Sequence, residues 1–292
     1  MDSAVESPQQ LIFDVDGLQF AAQAWGNPAH PPILALHGWL DNSASFFALA
    51  PLLNKFYVVA IDLAGHGQSN HRPGSFTYNI WEDVSDVFAI ADQLGWEQFS
   101  LLGHSRGGII SVIAAGTFPE RIIKLGLVEG FLPEPSRAQD TPKQLARSIK
   151  SAQTISIKAL STYLDMEKAI KARERGMFPL SYTAAKALTE RGLKKIDGGY
   201  RWSTDQRLLV PSAIKLLPEQ LDAFVKEIKC PIALILAEDG MPKLYPHYNE
   251  LIRQYMQLEV TILPGAHHLH MEQEVNSVAE ILNAFLKIIT NE

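Results

Sequence analysis

The chain has 292 residues, of which 47% are hydrophobic and 20% charged, a composition typical of a globular protein with a sizeable core. Its net charge of −6 and the lack of a basic cluster argue against nucleic acid as a partner. We expect a cytoplasmic protein without a membrane partner, because no apolar run reaches ~18 residues, the first six residues lack signal-peptide character, and the single cysteine, Cys230, fits a reducing compartment.

The first third of the chain predicts strands that alternate with helices. Asp16-Gly17 separates two apolar runs and indicates a β-hairpin. The continuous apolar runs 33–36 and 56–61 indicate strands buried on both faces. Helices are expected over residues 44–53, 78–94 and 109–117. This alternation predicts an α/β protein with a doubly wound, mostly parallel sheet and a functional site at the carboxyl ends of its strands.

A serine occupies a sharp predicted turn between a strand and a helix. The run 98–102 predicts a short buried strand, and 109–117 predicts the helix that follows. Between them lies Gly103-x-Ser105-x-Gly107. Such a turn requires a strained backbone at Ser105, and it requires glycines where a Cβ would collide with a neighbouring segment of the backbone. This context is typical of a nucleophile elbow, which exposes its serine at the end of a strand with a helix N-terminus behind it.

The middle of the chain changes character after a predicted sixth strand at 122–128. A proline-rich linker follows, and residues 143–209 contain helical stretches but no buried-strand run. The basic side chains there, Arg173 and Arg191 among them, are expected on solvated helix faces, with an anion-attracting rim as the alternative. We therefore divide the chain into a core, residues 1–132 and 210–292, and an inserted helical unit, residues 133–209.

Three histidines follow the last predicted strand, and they are His267, His268 and His270. A metal site would need carboxylate or cysteine partners at fixed spacing, and the surrounding sequence shows none, so no metal or cofactor is expected. A serine hydroxyl is a poor nucleophile until a base of near-neutral pKa removes its proton. Activation of Ser105 therefore requires a base of this kind.

Three motifs, each after a predicted strand, carry a family resemblance. They are Leu36-His37-Gly38-Trp39-Leu40-Asp41-Asn42, Asp62-x-x-Gly65-x-Gly67-x-Ser69 and the elbow around Ser105. In this order they resemble the α/β-hydrolase superfamily, most closely its serine hydrolase-like branch. The resemblance covers roughly residues 10–132 and 228–290. It implies the α/β-hydrolase fold, with residues 133–209 as a helical cap, or lid, inserted after the sixth strand.

The resemblance also implies roles for particular residues. The family builds its oxyanion hole from the backbone N–H after the nucleophile and one in the His-Gly loop, which are here Arg106 and Trp39. A His-x-x-His-apolar-Glu pattern that often follows the family's last strand nominates His267 as the base. Counting from the preceding Pro-Gly pair nominates His268 instead, and we favour His267.

The carboxylate that orients the histidine has two competing candidates. The family commonly places it after the strand that follows the cap, in a G-x-x-D pattern, but Gly240 occupies that position here and Asp239 is one residue early. The second location is the end of the strand before the cap, where Glu129 begins a sequence resembling the glutamate-bearing loop of some haloalkane dehalogenases. Those enzymes use an aspartate nucleophile, so Ser105 excludes dehalogenation.

Together these residues predict a serine hydrolase that cleaves small carboxylic esters through an acyl-serine intermediate. Apolar side chains of the cap, Phe178 among them, are expected to favour short acyl chains. Hydrolysis of thioesters, lactones or C–C bonds uses the same triad, and these alternatives stay open. A non-catalytic receptor on a hydrolase scaffold is the alternative from another class, and an activated Ser105–His267 pair argues against it. The oligomeric state is left open.

Overall fold

The computed structural model describes residues 7–74, 76–155, 161–245, 248–255 and 257–287. The first six residues, which the sequence analysis expected to carry no signal peptide, lie outside this description. Within the described ranges, no helix combines the length and the apolar character that crossing a lipid bilayer requires.

The described elements alternate between strands and helices over most of the chain. The strands are β1 (Gln9–Val15), β2 (Leu18–Trp25), β3 (Pro32–Leu36), β4 (Tyr57–Ile61), β5 (Phe99–His104), β6 (Ile122–Val128), β7 (Thr162–Tyr163), β8 (Leu193–Ile196), β9 (Gly199–Trp202), β10 (Ile232–Asp239) and β11 (Leu258–Ala266). The helices are α1 (Ile80–Gln93), α2 (Arg106–Thr117), α3 (Thr141–Ile155), α4 (Met166–Glu174), α5 (Tyr182–Gly192), α6 (Pro218–Glu227), α7 (Met241–Leu244), α8 (Tyr248–Arg253) and α9 (Val275–Leu286).

Eight of the described strands form one sheet in the order β1-β2-β4-β3-β5-β6-β10-β11. The β1–β2 and β2–β4 pairs are antiparallel, and the remaining pairs are parallel. The predicted hairpin turn is present, with positive φ at Asp16 and Gly17. The mostly parallel α/β sheet predicted from the sequence is therefore confirmed. Its parallel strands bring the loops after β3, β5, β6, β10 and β11 to one edge.

The central strands are apolar on both faces because helices cover the sheet on both sides. In β3, Leu34 belongs to a core cluster shared with α1 and α2. Its neighbours Ile33 and Ala35 belong to a second cluster, shared with α9. Successive residues of a strand point to opposite faces, so a continuous apolar run is what a doubly covered strand requires.

One predicted helix of the core is absent from the structure. Residues 44–53 form two short 3₁₀ turns, Ser43–Phe46 and Ala50–Leu52, instead of one α-helix. Pro51 lies inside the predicted span. A proline there lacks the amide that would bond to the preceding turn and its ring clashes with that turn, so a continuous helix is disfavoured.

The segment between β6 and α6 is not purely helical. Residues 133–209, named the insert below, contain α3, α4 and α5 as expected, but also a three-stranded antiparallel sheet in the order β7-β9-β8. These strands are short and partly exposed, so no buried-strand run in the sequence predicts them. The turn between β8 and β9 has a recognisable signal, since Asp197-Gly198 has the Asp-Gly type and Gly198 has a φ of 83°.

Candidate active site

Ser105 lies between β5 and α2 with a backbone that few non-glycine residues adopt. Its φ is 51°, in the left-handed region. The flanking glycines permit this turn, because a Cβ at Gly103 would lie 2.5 Å from the carbonyl oxygen of Gly107, and one at Gly107 would lie 2.0 Å from that of Leu36. Helix α2 therefore packs directly against the strand ends and holds Ser105 at the edge of the sheet.

His267 is the histidine that contacts Ser105. Its Nε2 atom lies 3.0 Å from the Oγ atom of Ser105. The neighbouring His268 points elsewhere, since its Nε2 lies 3.1 Å from a carboxylate oxygen of Asp41. The structure therefore brings the favoured base, and not its alternative, to the serine.

Glu129 completes this series of contacts from the other side of the imidazole. Its Oε2 lies 3.0 Å from Nδ1 of His267. The side chain is fully buried, and its oxygens also accept hydrogen bonds from the amides of Ala237 at 2.6 Å and Met241 at 2.7 Å. The backbone at Glu129 has a φ of 54°, which turns the residue away from the line of β6. Two backbone amides and the imidazole therefore hold this buried carboxylate in place.

Asp239, the competing candidate for the acid, is not in contact with His267 among the described residues. Its side chain is 63% exposed and pairs with Lys243 at 2.6 Å. The position expected to carry the acid holds Gly240. A Cβ at this glycine would lie 2.1 Å from Oε2 of Glu129. The carboxylate of Glu129 occupies the space beside the position from which the family usually supplies its acid.

The two amides expected to form the oxyanion hole flank this edge of the sheet. Arg106 is the first residue of α2, so its N–H has no acceptor within the helix. Its guanidinium pairs with Asp83 of α1. Trp39 follows β3, and its indole N–H donates to the carbonyl of Leu208 in the insert at 2.9 Å. Both side chains are thus engaged elsewhere, and the backbone N–H groups are the candidates for binding an oxyanion.

The insert reaches the candidate site through Phe178. The Phe178 ring stacks on the His267 imidazole, with 4.1 Å between ring centroids and 29° between ring planes. Phe178, which is predicted from the sequence to limit acyl length, lies directly on the proposed base.

A buried polar cluster behind His267 was missed by the sequence analysis. Asp41, His104 and His268 each offer one potential metal-ligand atom, and these three atoms lie within 4.8 Å of one another. The sequence shows no carboxylate or cysteine at a metal-binding spacing from these histidines, and Asp41 supplies a carboxylate from a distant loop. Its charge is already balanced, however, because Oδ1 lies 2.6 Å from the guanidinium of Arg173 in α4.

The protonation of this cluster follows from burial and from neighbouring charges. Burial by itself would raise the pKa of Asp41, but His268 and Arg173 hold it well below its usual range. Burial and the adjacent histidines lower the pKa of His104, so its imidazole is neutral near pH 7.

Two basic residues of the insert do not lie on solvated helix faces as expected. Arg173 pairs with the buried Asp41. Arg191 is buried against Asp62, with 3.0 Å between the paired atoms.

Known proteins are similar to this chain in both sequence and architecture. A family model described as alpha/beta hydrolase fold matches residues 31–160. The chain is 32% identical to the human serine hydrolase-like protein 2, over 91% of this chain and 90% of that protein. It is 30% identical to the serine hydrolase-like protein of Danio rerio, over 92% of this chain and 85% of that protein. The chain is also 42% identical in sequence to a hypothetical protein from Pseudomonas aeruginosa PAO1. The crystal structure of that protein superposes on 95% of this chain and 99% of its own chain, with a TM-score of 0.91. The fold and family expected from the motifs are confirmed, and the chain belongs to the α/β-hydrolase family, in its serine hydrolase-like branch.

Proposed function

We propose that this protein cleaves small, short-chain carboxylic esters through an acyl-serine intermediate. Its family supports hydrolysis as the general reaction. The observation that carries the finer assignment is the continuous contact from Ser105 Oγ to His267 Nε2, at 3.0 Å, and from His267 Nδ1 to Glu129 Oε2, also at 3.0 Å.

We infer a step for each residue of this proposed triad from these contacts. Glu129 accepts a hydrogen bond from the Nδ1–H group of His267, and this tautomer leaves the Nε2 lone pair directed at the Ser105 hydroxyl. His267 takes the hydroxyl proton as the serine oxygen attacks the ester carbonyl, and Glu129 stabilises the resulting imidazolium. His267 then delivers that proton to the departing alcohol. Water attacks the acyl-serine by the same route, and the acid is released as Ser105 regains its proton.

The developing oxyanion needs fixed donors that do not have to reorganise. The backbone N–H groups of Trp39 and Arg106 are proposed for this role, and loss of one such donor typically costs about 10²–10³ in rate. Phe178 above His267, and the bond from Trp39 to Leu208, support the proposal that the insert acts as a cap over the cleft. Aromatic rings so close to the base favour short acyl groups over long ones.

Labelling with a fluorophosphonate probe tests the nucleophile. We expect a single adduct on the wild-type protein by intact mass and no adduct on Ser105→Ala, with kcat for a short-chain aryl ester reduced by at least about 10³. Ser161→Ala, which removes an exposed serine of the insert, serves as the matched control and should label normally. A wild-type protein that remains unlabelled would overturn the proposal and favour the receptor alternative.

A substrate series tests the acyl preference separately. Hydrolysis of p-nitrophenyl esters from acetate to palmitate should be fastest for the shortest acyl groups, because Phe178 stacks on the proposed base. An optimum at laurate or longer would indicate an open, lipase-like cleft.

A further inference from the structure

One buried carboxylate connects the insert to both loops that serve the proposed reaction. Asp41 lies two residues after Trp39, in the loop that supplies the oxyanion amide. Its Oδ2 lies 3.1 Å from Nε2 of His268, the residue after His267. Its Oδ1 accepts a hydrogen bond of 2.6 Å from Arg173, in the last turn of α4. Asp41 thus belongs to the proposed oxyanion loop, and its side chain contacts both the histidine loop and the insert.

Arg173 places a permanent positive charge beside this carboxylate. The side chain of Asp41 is 1% exposed, and that of Arg173 is 16% exposed. His268 and His104 also lie within 4 Å of this carboxylate, and burial together with the adjacent histidines keeps His104 neutral. Removing one partner of a buried ion pair leaves an uncompensated charge, which is far more disruptive than removing both partners.

The segment that follows Arg173 also lies on the histidine loop. Phe178 stacks on His267, and the amide of Ser181 donates to Glu272 at 2.8 Å. Leu180 is buried in a small apolar cluster that also contains Met271. The end of α4 and the residues after it are therefore fixed against the loop that carries the proposed base.

We propose that Arg173 is a positioning residue for the hydrolytic reaction, an inference that rests on the proposed function. By holding Asp41 ionised and in place, it fixes the Trp39 loop and the His267 loop relative to Ser105. The active site is then complete only when the insert is seated on the core. A misplacement of about 1 Å at such a site can cost about 10² in rate.

The rate of fluorophosphonate inactivation tests this proposal without assuming the natural substrate. We expect Arg173→Met to lower the saturated inactivation rate about tenfold to a hundredfold, with a smaller change in the probe concentration that gives half the maximal rate. Lys171→Met is the matched control, because Lys171 lies on the same helix, is exposed and pairs with Glu167 on that helix. It should react like the wild type, and circular dichroism checks that both variants fold.

Two further variants separate positioning from a general loss of structure. In Arg173→Met/Asp41→Asn the unpaired charge is absent, so this protein should react faster than Arg173→Met but more slowly than the wild type. Arg173→Lys keeps the charge but loses the planar fork, and it should also fall between those limits. If Arg173→Met does not fold, the double variant and Arg173→Lys still test whether Arg173 positions the active site. Wild-type rates in both would overturn the inference, as would a double variant no faster than a folded Arg173→Met.

The outcomes also distinguish this inference from the proposed function. If the wild-type protein does not react with the probe, the serine hydrolase assignment itself fails. If the wild type reacts and a folded Arg173→Met reacts equally fast, the positioning role of Arg173 fails while the assignment stands.

Discussion

The carboxyl ends of β6 and β10 lie side by side in the sheet, and each carries an acidic residue. The surroundings of these two carboxylates differ completely. Glu129 after β6 is fully buried and contacts His267, whereas Asp239 at the end of β10 is exposed and pairs with Lys243. The backbone makes the difference. The left-handed turn at Glu129 directs its side chain inward, while β10 has a register shift between Ala237 and Asp239.

The two strand ends are also complementary in shape. Gly240, at the position where the family usually carries its acid, leaves the space that the Glu129 carboxylate fills. Glu129 and Gly240 are therefore sterically matched in this molecule, because any side chain at position 240 would collide with the carboxylate in its present position.

The largest expected effect comes from Glu129→Gln. The amide cannot stabilise the imidazolium of His267 and favours the wrong tautomer, a loss that can approach 10⁴ in kcat. The measurement is steady-state hydrolysis of a short-chain aryl ester, with folding confirmed by circular dichroism. Glu238→Gln changes an exposed glutamate at the end of β10 and is the control. Wild-type activity in Glu129→Gln would remove this carboxylate from the mechanism.

A smaller but specific effect is expected from Gly240→Ala. The added methyl group would lie 2.1 Å from Oε2 of Glu129, so the carboxylate must move and its contact with His267 lengthens. We expect kcat to fall by about 10². The same change in a Glu129→Ala background should have little further effect, since the clashing carboxylate is gone. Additive losses in that double-mutant cycle would show that Gly240 acts independently of Glu129.

The smallest effect is expected from Asp239→Asn. Exposed ion pairs contribute little, so kcat and the thermal unfolding midpoint should stay close to wild type, with activity within about twofold. Measuring this variant beside Glu129→Gln turns the structural contrast into a kinetic one. A tenfold or greater loss of kcat in Asp239→Asn would break the comparison.

The sequence predicted the parts of this molecule that depend on local pattern. Continuous apolar runs identified the central strands, and the glycines around Ser105 identified the elbow, because both reflect steric demands within a few residues. The choice between Glu129 and Asp239 was not accessible in this way. Each belongs to a strand end, and the inward turn of one side chain depends on a backbone angle and on amides from another strand.

The Asp41–Arg173 pair shows a second limit of reasoning from sequence. The basic residues of the insert were expected on solvated faces, which is the common position for charges on a helix. Arg173 is an exception because Asp41, on a distant loop, lies buried where α4 meets the core. Charge pairing between separate segments leaves no local pattern, so the three-dimensional structure was needed to find it.

Proton NMR of the imidazole N–H region tests the central claim most directly, because it observes the proton between His267 and Glu129. A charge-assisted bond of this kind shifts the Nδ1 proton far downfield, and the resonance can be assigned by its loss in His267→Gln. The account predicts that this resonance disappears or moves strongly upfield in Glu129→Gln and is unchanged in Asp239→Asn. A resonance that survives in Glu129→Gln and is lost in Asp239→Asn would contradict it.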